Sequence, residues 1–149
     1  MPYQLTQTVT LIFLAAASRE DIRSRTIPLA LAGIWGVFGA AVTAALLLSG
    51  GLSPEAAGFS VLPGIFLLGL ALLSEGRIGC GDGLLFVACG LTAGAEAAFF
   101  LLCLSTLLAA LFGAAGLILG KLKKGARLPF LPFVLAAYLI VLAAGGGKK

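Results

Sequence analysis

The chain has no histidine, only two aspartates, and little charge of either sign: 11% of its 149 residues are charged. Soluble domains carry about 25% charged residues. The absence of histidine removes the usual zinc sites and every Cys–His or Ser–His catalytic pair. The three cysteines, Cys80, Cys89 and Cys103, have neither the spacing of a disulfide framework nor that of a metal site. Cys89 and Cys103 lie in apolar runs and read as small packing residues. No basic domain exists to track a phosphate backbone, so a nucleic-acid partner is excluded.

What remains is 60% hydrophobic, the composition of an integral membrane protein. The expected fold is all-α: a polytopic membrane helix bundle of about six transmembrane helices, forming one membrane-embedded domain over residues 1–149. The apolar segments are 5–18, 28–49, 54–74, 82–93, 95–120 and 129–144. The first has no Lys or Arg before it and so lacks the basic start of a signal peptide. Segment 54–74 opens on Ser53, Pro54 and Glu55, a cap, a first-turn proline and an acid at the positive dipole end. The break between the fourth and fifth helices falls at 92–94. Gly33, Gly36 and Gly39, and the pair Gly116 and Gly120, have the small-residue spacing of close helix contacts.

Three polar breaks, 19–27, 75–81 and 121–128, share one face if all six segments cross. They carry Arg19, Arg23, Arg25, Arg77, Lys121, Lys123, Lys124 and Arg127, eight of the ten basic residues. Basic loops stay cytosolic, which places both termini outside; Lys148 and Lys149 run against that rule.

Asp21 and Asp82 both stand where an apolar segment meets a basic loop. Two spans separate them, so an even number of crossings returns the chain to one face. If the second, third and fourth helices pack together, the carboxyls can share one water. Such a pair titrates as a unit holding one proton. Its ionised member can take a proton from water while the other protonates a peptide carbonyl, with no cofactor and no metal. Taken separately, each residue has a plainer role. Asp21 sits among arginines and reads as a solvated loop charge. Asp82, in Gly79-Cys80-Gly81-Asp82-Gly83, reads as a helix cap behind glycines that allow unusual backbone angles and a close approach.

The segment Asp21-Ile22-Arg23-Ser24-Arg25-Thr26-Ile27-Pro28 resembles the first catalytic motif of type IV prepilin peptidases. Gly79-Cys80-Gly81-Asp82 matches their Gly-x-Gly-Asp motif. Leu128-Pro129-Phe130-Leu131-Pro132-Phe133 looks like the Pro-Phe-x-Pro-Phe segment opening their last helix. The order and the six-helix layout agree over nearly the whole chain. The resemblance implies a membrane aspartyl endopeptidase with Asp21 and Asp82 as catalytic pair and Gly79 and Gly81 as the loop shaping the site. It also implies a bacterial inner-membrane location, lipid contacts, and an active site facing the cytosol. The implied partners are prepilins or pseudopilins, which lose a basic leader after a glycine, just before their hydrophobic helix.

Leu84 stands where many members of that family have lysine, and Leu29 where an asparagine often follows the Ile-Pro pair; both bear on substrate preference. Larger members carry a cytosolic insertion with paired cysteines and methylate the new N-terminus. Without that insertion, methyltransferase activity is not expected. Presenilin-like proteases share Gly-x-Gly-Asp but have Tyr-Asp as first motif, where Glu20 stands here. The alternative class is a non-proteolytic membrane protein that binds or transports a divalent cation through Glu20, Asp21, Glu75 and Asp82.

Overall fold

A computed structural model describes residues 2–24, 29–74, 79–121 and 128–144. The Ile27–Pro28 pair, Glu75, Arg25, Arg77, Lys123, Lys124 and Arg127 lie outside these residues, as do the terminal lysines. The protein is an all-α membrane bundle. Its described helices are α1 (Pro2–Ser24), α2 (Leu29–Leu48), α3 (Pro54–Ser60), α4 (Leu62–Leu73), α5 (Cys80–Ala93), α6 (Ala95–Ile118) and α7 (Leu131–Ala143). Three stretches are long and apolar enough to cross a membrane: Ala30–Leu48, Pro54–Leu73 and Ala95–Ile118. Large apolar side chains such as Leu48, Leu72 and Ile118 face outward, as they do in a bundle solvated by lipid rather than water.

Most boundaries follow local chemistry. The Ser53 hydroxyl accepts the Ala56 amide at 3.2 Å, and Pro54 fills the first turn of α3. Gly50 takes a left-handed φ of 70° after α2, and the Gly51 amide returns to the Leu46 carbonyl at 2.9 Å; this is the glycine stop expected at a helix end. Gly94, at φ 86°, separates α5 from α6, inside the 92–94 break predicted from the sequence.

Two expectations need correction. The first helix does not stop at residue 18 but runs on to Ser24. Arg19 and Arg23 are exposed, whereas Thr10, Leu14, Ala17, Ser18 and Asp21 form one buried stripe at helical spacing. The charges therefore change the outer face of a continuing helix and do not end it. The third segment is divided at Val61. Pro63 has no N–H to continue the ladder to the Phe59 carbonyl, and the Val61 amide bonds there instead.

α5 is the central helix. It packs against α2 on one side and α4 on the other, and also meets α1 and α6; α7 closes the bundle between α1 and α6. The core gathers Leu14, Trp35, Leu85, Phe86, Leu101, Leu131 and Val134. Trp35 stacks on Phe13 with ring centres 5.7 Å apart.

Of the glycine series Gly33, Gly36 and Gly39, only Gly39 meets another helix; a Cβ at the other two would find open space. The decisive glycines are Gly64 on α4 and Gly83 and Gly90 on α5. A Cβ on Gly83 would come 2.9 Å from the Leu68 amide nitrogen, one on Gly90 would overlap the Ser60 carbonyl, and one on Gly64 would overlap the Val87 backbone. Backbone meets backbone there, in the manner of small-residue membrane contacts.

Gly90→Ala is therefore expected to destabilise the bundle by at least about 1–3 kcal/mol through overpacking. Gly33→Ala should be neutral or gain up to about 1 kcal/mol from helix propensity. Thermal unfolding of both variants in detergent micelles checks the pair; equal stability of the two would refute the assignment of Gly90 to the contact.

Candidate active site

The register of α1 against α5 sets the level of the two aspartates. Near the far end of the bundle the Thr10 hydroxyl donates to the Thr92 hydroxyl at 3.3 Å, and Thr92 is itself tied back to the Ala88 carbonyl at 3.1 Å. Asp21 follows Thr10 by eleven residues and Asp82 precedes Thr92 by ten. At 1.5 Å per residue these are rises of about 16 and 15 Å. Antiparallel helices joined at the two threonines thus bring the two carboxylates to nearly one level.

Asp21 is 7% exposed. Its Oδ2 accepts the backbone amide of Leu131 at 2.9 Å, the first residue of α7. The carboxylate thus lies at the N-terminus of another helix, where unpaired amides and the dipole favour negative charge. Neither reading of Asp21 as a solvated loop charge nor its arginine neighbours explain that position; its partner is 110 residues away.

Asp82 is the third residue of α5, whose N-cap is Gly79 in extended backbone, φ −74° and ψ 130°. Asp82 is therefore not the cap residue. Its carboxylate reaches back to the Gly79 backbone amide, the second half of a capping-box arrangement. A Cβ on Gly79 would come 3.3 Å from Asp82 Oδ2, so glycine leaves the carboxylate room to lie over its own cap. Gly81 is the second residue of α5 and half-buried.

Asp82 stands outside the three span-length helices, in the first turn of α5. Its carboxyl is pushed up from 3.8 to about 7, by burial first and by the charge of Asp21 second, against the opposing pull of the Gly79 amide. The two aspartates thus stand near enough for the charge of Asp21 to raise the Asp82 carboxyl. Among the described residues no three His, Cys, Asp or Glu side chains gather as a metal site.

A model of the type IV leader peptidase family matches residues 8–114, a stretch that contains both aspartates and the Gly-x-Gly-Asp loop. The chain belongs to that family. A prepilin leader peptidase/N-methyltransferase of Bacillus subtilis (strain 168) is 38% identical over 98 residues, covering 64% of this chain and 36% of the relative. The chain thus matches about a third of the relative's length. No solved structure matches. The Leu128–Phe133 segment lies beyond the family match, yet it supplies the amide on Asp21. Sequence reasoning found that motif but not its contact. The available signal was the buried stripe of α1, which ends on Asp21.

Removing the charge of Asp21 should lower the pH at which Asp82 titrates. Asp21→Asn leaves one aspartate in the chain, so carbon-13 labelling of aspartate reads Asp82 alone by NMR. A midpoint that stays near 7 or rises would mean that the two carboxyls do not interact.

Proposed function

We propose that the chain is a membrane aspartyl endopeptidase that removes the basic leader from prepilins or pseudopilins, as one membrane-embedded peptidase domain over residues 1–149. The observation that carries this reading is the pair of neighbouring carboxyls, Asp21 buried and Asp82 half-buried, in a chain whose family is that of leader peptidases. The relative's name also includes N-methyltransferase; the reading for this chain is confined to hydrolysis, which the pair can perform with water alone.

Asp82, the member whose proton is retained to about pH 7, is the acid, and Asp21 is the base. Asp21 takes a proton from water as the water oxygen attacks the scissile carbonyl carbon. Asp82 gives its proton to the carbonyl oxygen, leaving a neutral gem-diol. Asp21 then passes its proton to the amide nitrogen as the C–N bond breaks. Asp82 regains a proton from a gem-diol hydroxyl, which becomes the new carbonyl. The pair ends as it began, and the products are a carboxylic acid and an amine.

The basic residues of the loops in the sequence support a site at the cytosolic face, by the positive-inside rule. A basic leader entering there would meet the acidic pair, while the hydrophobic helix of the substrate stays in lipid.

Asp21→Asn and Asp82→Asn should each lower cleavage of a prepilin-like peptide by roughly 10²–10⁴-fold, the usual worth of an acid or base, with expression unchanged. Full activity in either variant sinks the pair. Cleavage by the unmodified protein should decline as pH rises through about 7, where Asp82 loses its proton. A profile that stays flat into strongly alkaline solution contradicts a shared proton. If no peptide is cut, while divalent-ion binding is tight and lost in both variants, the cation-binding alternative holds instead.

A further inference from the structure

The Pro129-Phe130-Leu131-Pro132-Phe133 segment has no role in the chemistry above, yet its backbone touches the catalytic base. Its two aromatic rings fix the first turn of α7 from two sides. Phe130 lies 6.3 Å from the ring of Phe86 on α5, and Phe133 lies 5.4 Å from that of Phe112 on α6. The turn is thus held against the helix that carries Asp82.

The amides of this turn divide sharply. A helix N-terminus normally offers several unpaired N–H groups to one anion. Here the Leu131 amide goes to Asp21. Pro132, next in line, has none. The Phe133 amide is turned back to the Phe130 carbonyl at 3.0 Å, and that of Val134 reaches the same oxygen at 3.3 Å. Of the first four residues of α7, one donates to Asp21.

We infer that Pro132 is a positioning residue that limits the hydrogen bonding of α7 to Asp21 to a single amide, so that the carboxylate is oriented but remains a competent base. The inference rests on the peptidase reading for its purpose, though not for its geometry. A carboxylate that accepts two or three backbone amides is held firmly in its charged form and becomes a poor proton acceptor. One amide orients the group with less of that effect. A proline in the second position is the one residue that removes a donor while keeping helical φ.

Among the described residues, few charged groups surround Asp21. α2 and α7 contribute no charged side chain, α5 contributes Asp82, and α1 itself contributes Arg19, Glu20 and Arg23. Arg19 and Arg23 are exposed, so water screens them. Among the described residues, the amide that reaches Asp21 comes from the head of α7.

The two-aspartate composition makes the test direct. In the Asp82→Asn background, carbon-13-labelled aspartate reports Asp21 alone. Pro132→Ala restores an amide at the second position of α7 and should lower the pH at which the labelled carboxyl titrates by on the order of one pH unit. Pro54→Ala, at the first turn of α3, is the control for losing a first-turn proline and should leave the midpoint in place. An unmoved or raised midpoint in Pro132→Ala, or the same displacement in both variants, overturns the inference. With Asp82 present, the acidic limb of peptide cleavage should move down with the midpoint and the plateau should fall. Peptide cleavage without the displacement sinks the role of Pro132 alone. The displacement without any cleavage supports that role and sinks the peptidase reading instead.

Discussion

The bundle depends on the contact of α5 with α3 and α4, where backbone meets backbone because three positions lack a side chain. Gly64 and Gly83 bring α4 and α5, and Gly90 brings α5 and the end of α3, closer than any Cβ would permit. In lipid the tails are as apolar as leucine, so close packing and dispersion carry helix association. That contact lets α5 occupy the centre, with α2 on its other side. A central α5 is also what buries the carboxyl of Asp82 and raises it toward neutrality.

Two like charges near one another in a poorly hydrated site are costly, and each is offset differently. Asp82 is answered within its own helix, by the amide of the residue that caps it. Asp21 is answered from outside, by the first amide of α7. This difference follows from helix polarity. Asp82 lies near the start of α5, where free amides are at hand. Asp21 lies near the end of α1, where free groups are carbonyls and only another helix can supply a donor. The long α1 and the late α7 are thus both needed for one carboxylate. At the far end, the Thr10–Thr92 bond and the Tyr138 hydroxyl on the Gln7 carbonyl at 3.0 Å hold the same helices in register.

Family membership and geometry meet in the Gly-x-Gly-Asp loop. The first glycine caps α5 and leaves room for the carboxylate that folds back over it. Gly83, just after the motif, belongs to packing: its open side accepts Leu68 of α4. One short glycine-rich stretch therefore serves the site with one residue and the bundle with another, which keeps Asp82 fixed relative to the core.

Much was legible along the chain because its causes are local. Lipid solubility, the all-α class, the Ser53–Pro54–Glu55 start of α3 and the glycine break at 94 depend on neighbouring residues. So does the placing of both aspartates on one face, which needs only a count of spans. The extension of α1 through Ser24 was not read, because a linear run of charges looks like a loop until it is wrapped at 3.6 residues per turn. The glycines that matter were not told apart from those facing open space, since spacing alone does not say which face meets a partner. The amide that holds Asp21 comes from a residue 110 positions away. Only tertiary packing decides that contact, because no local propensity links the end of the first helix to the start of the last.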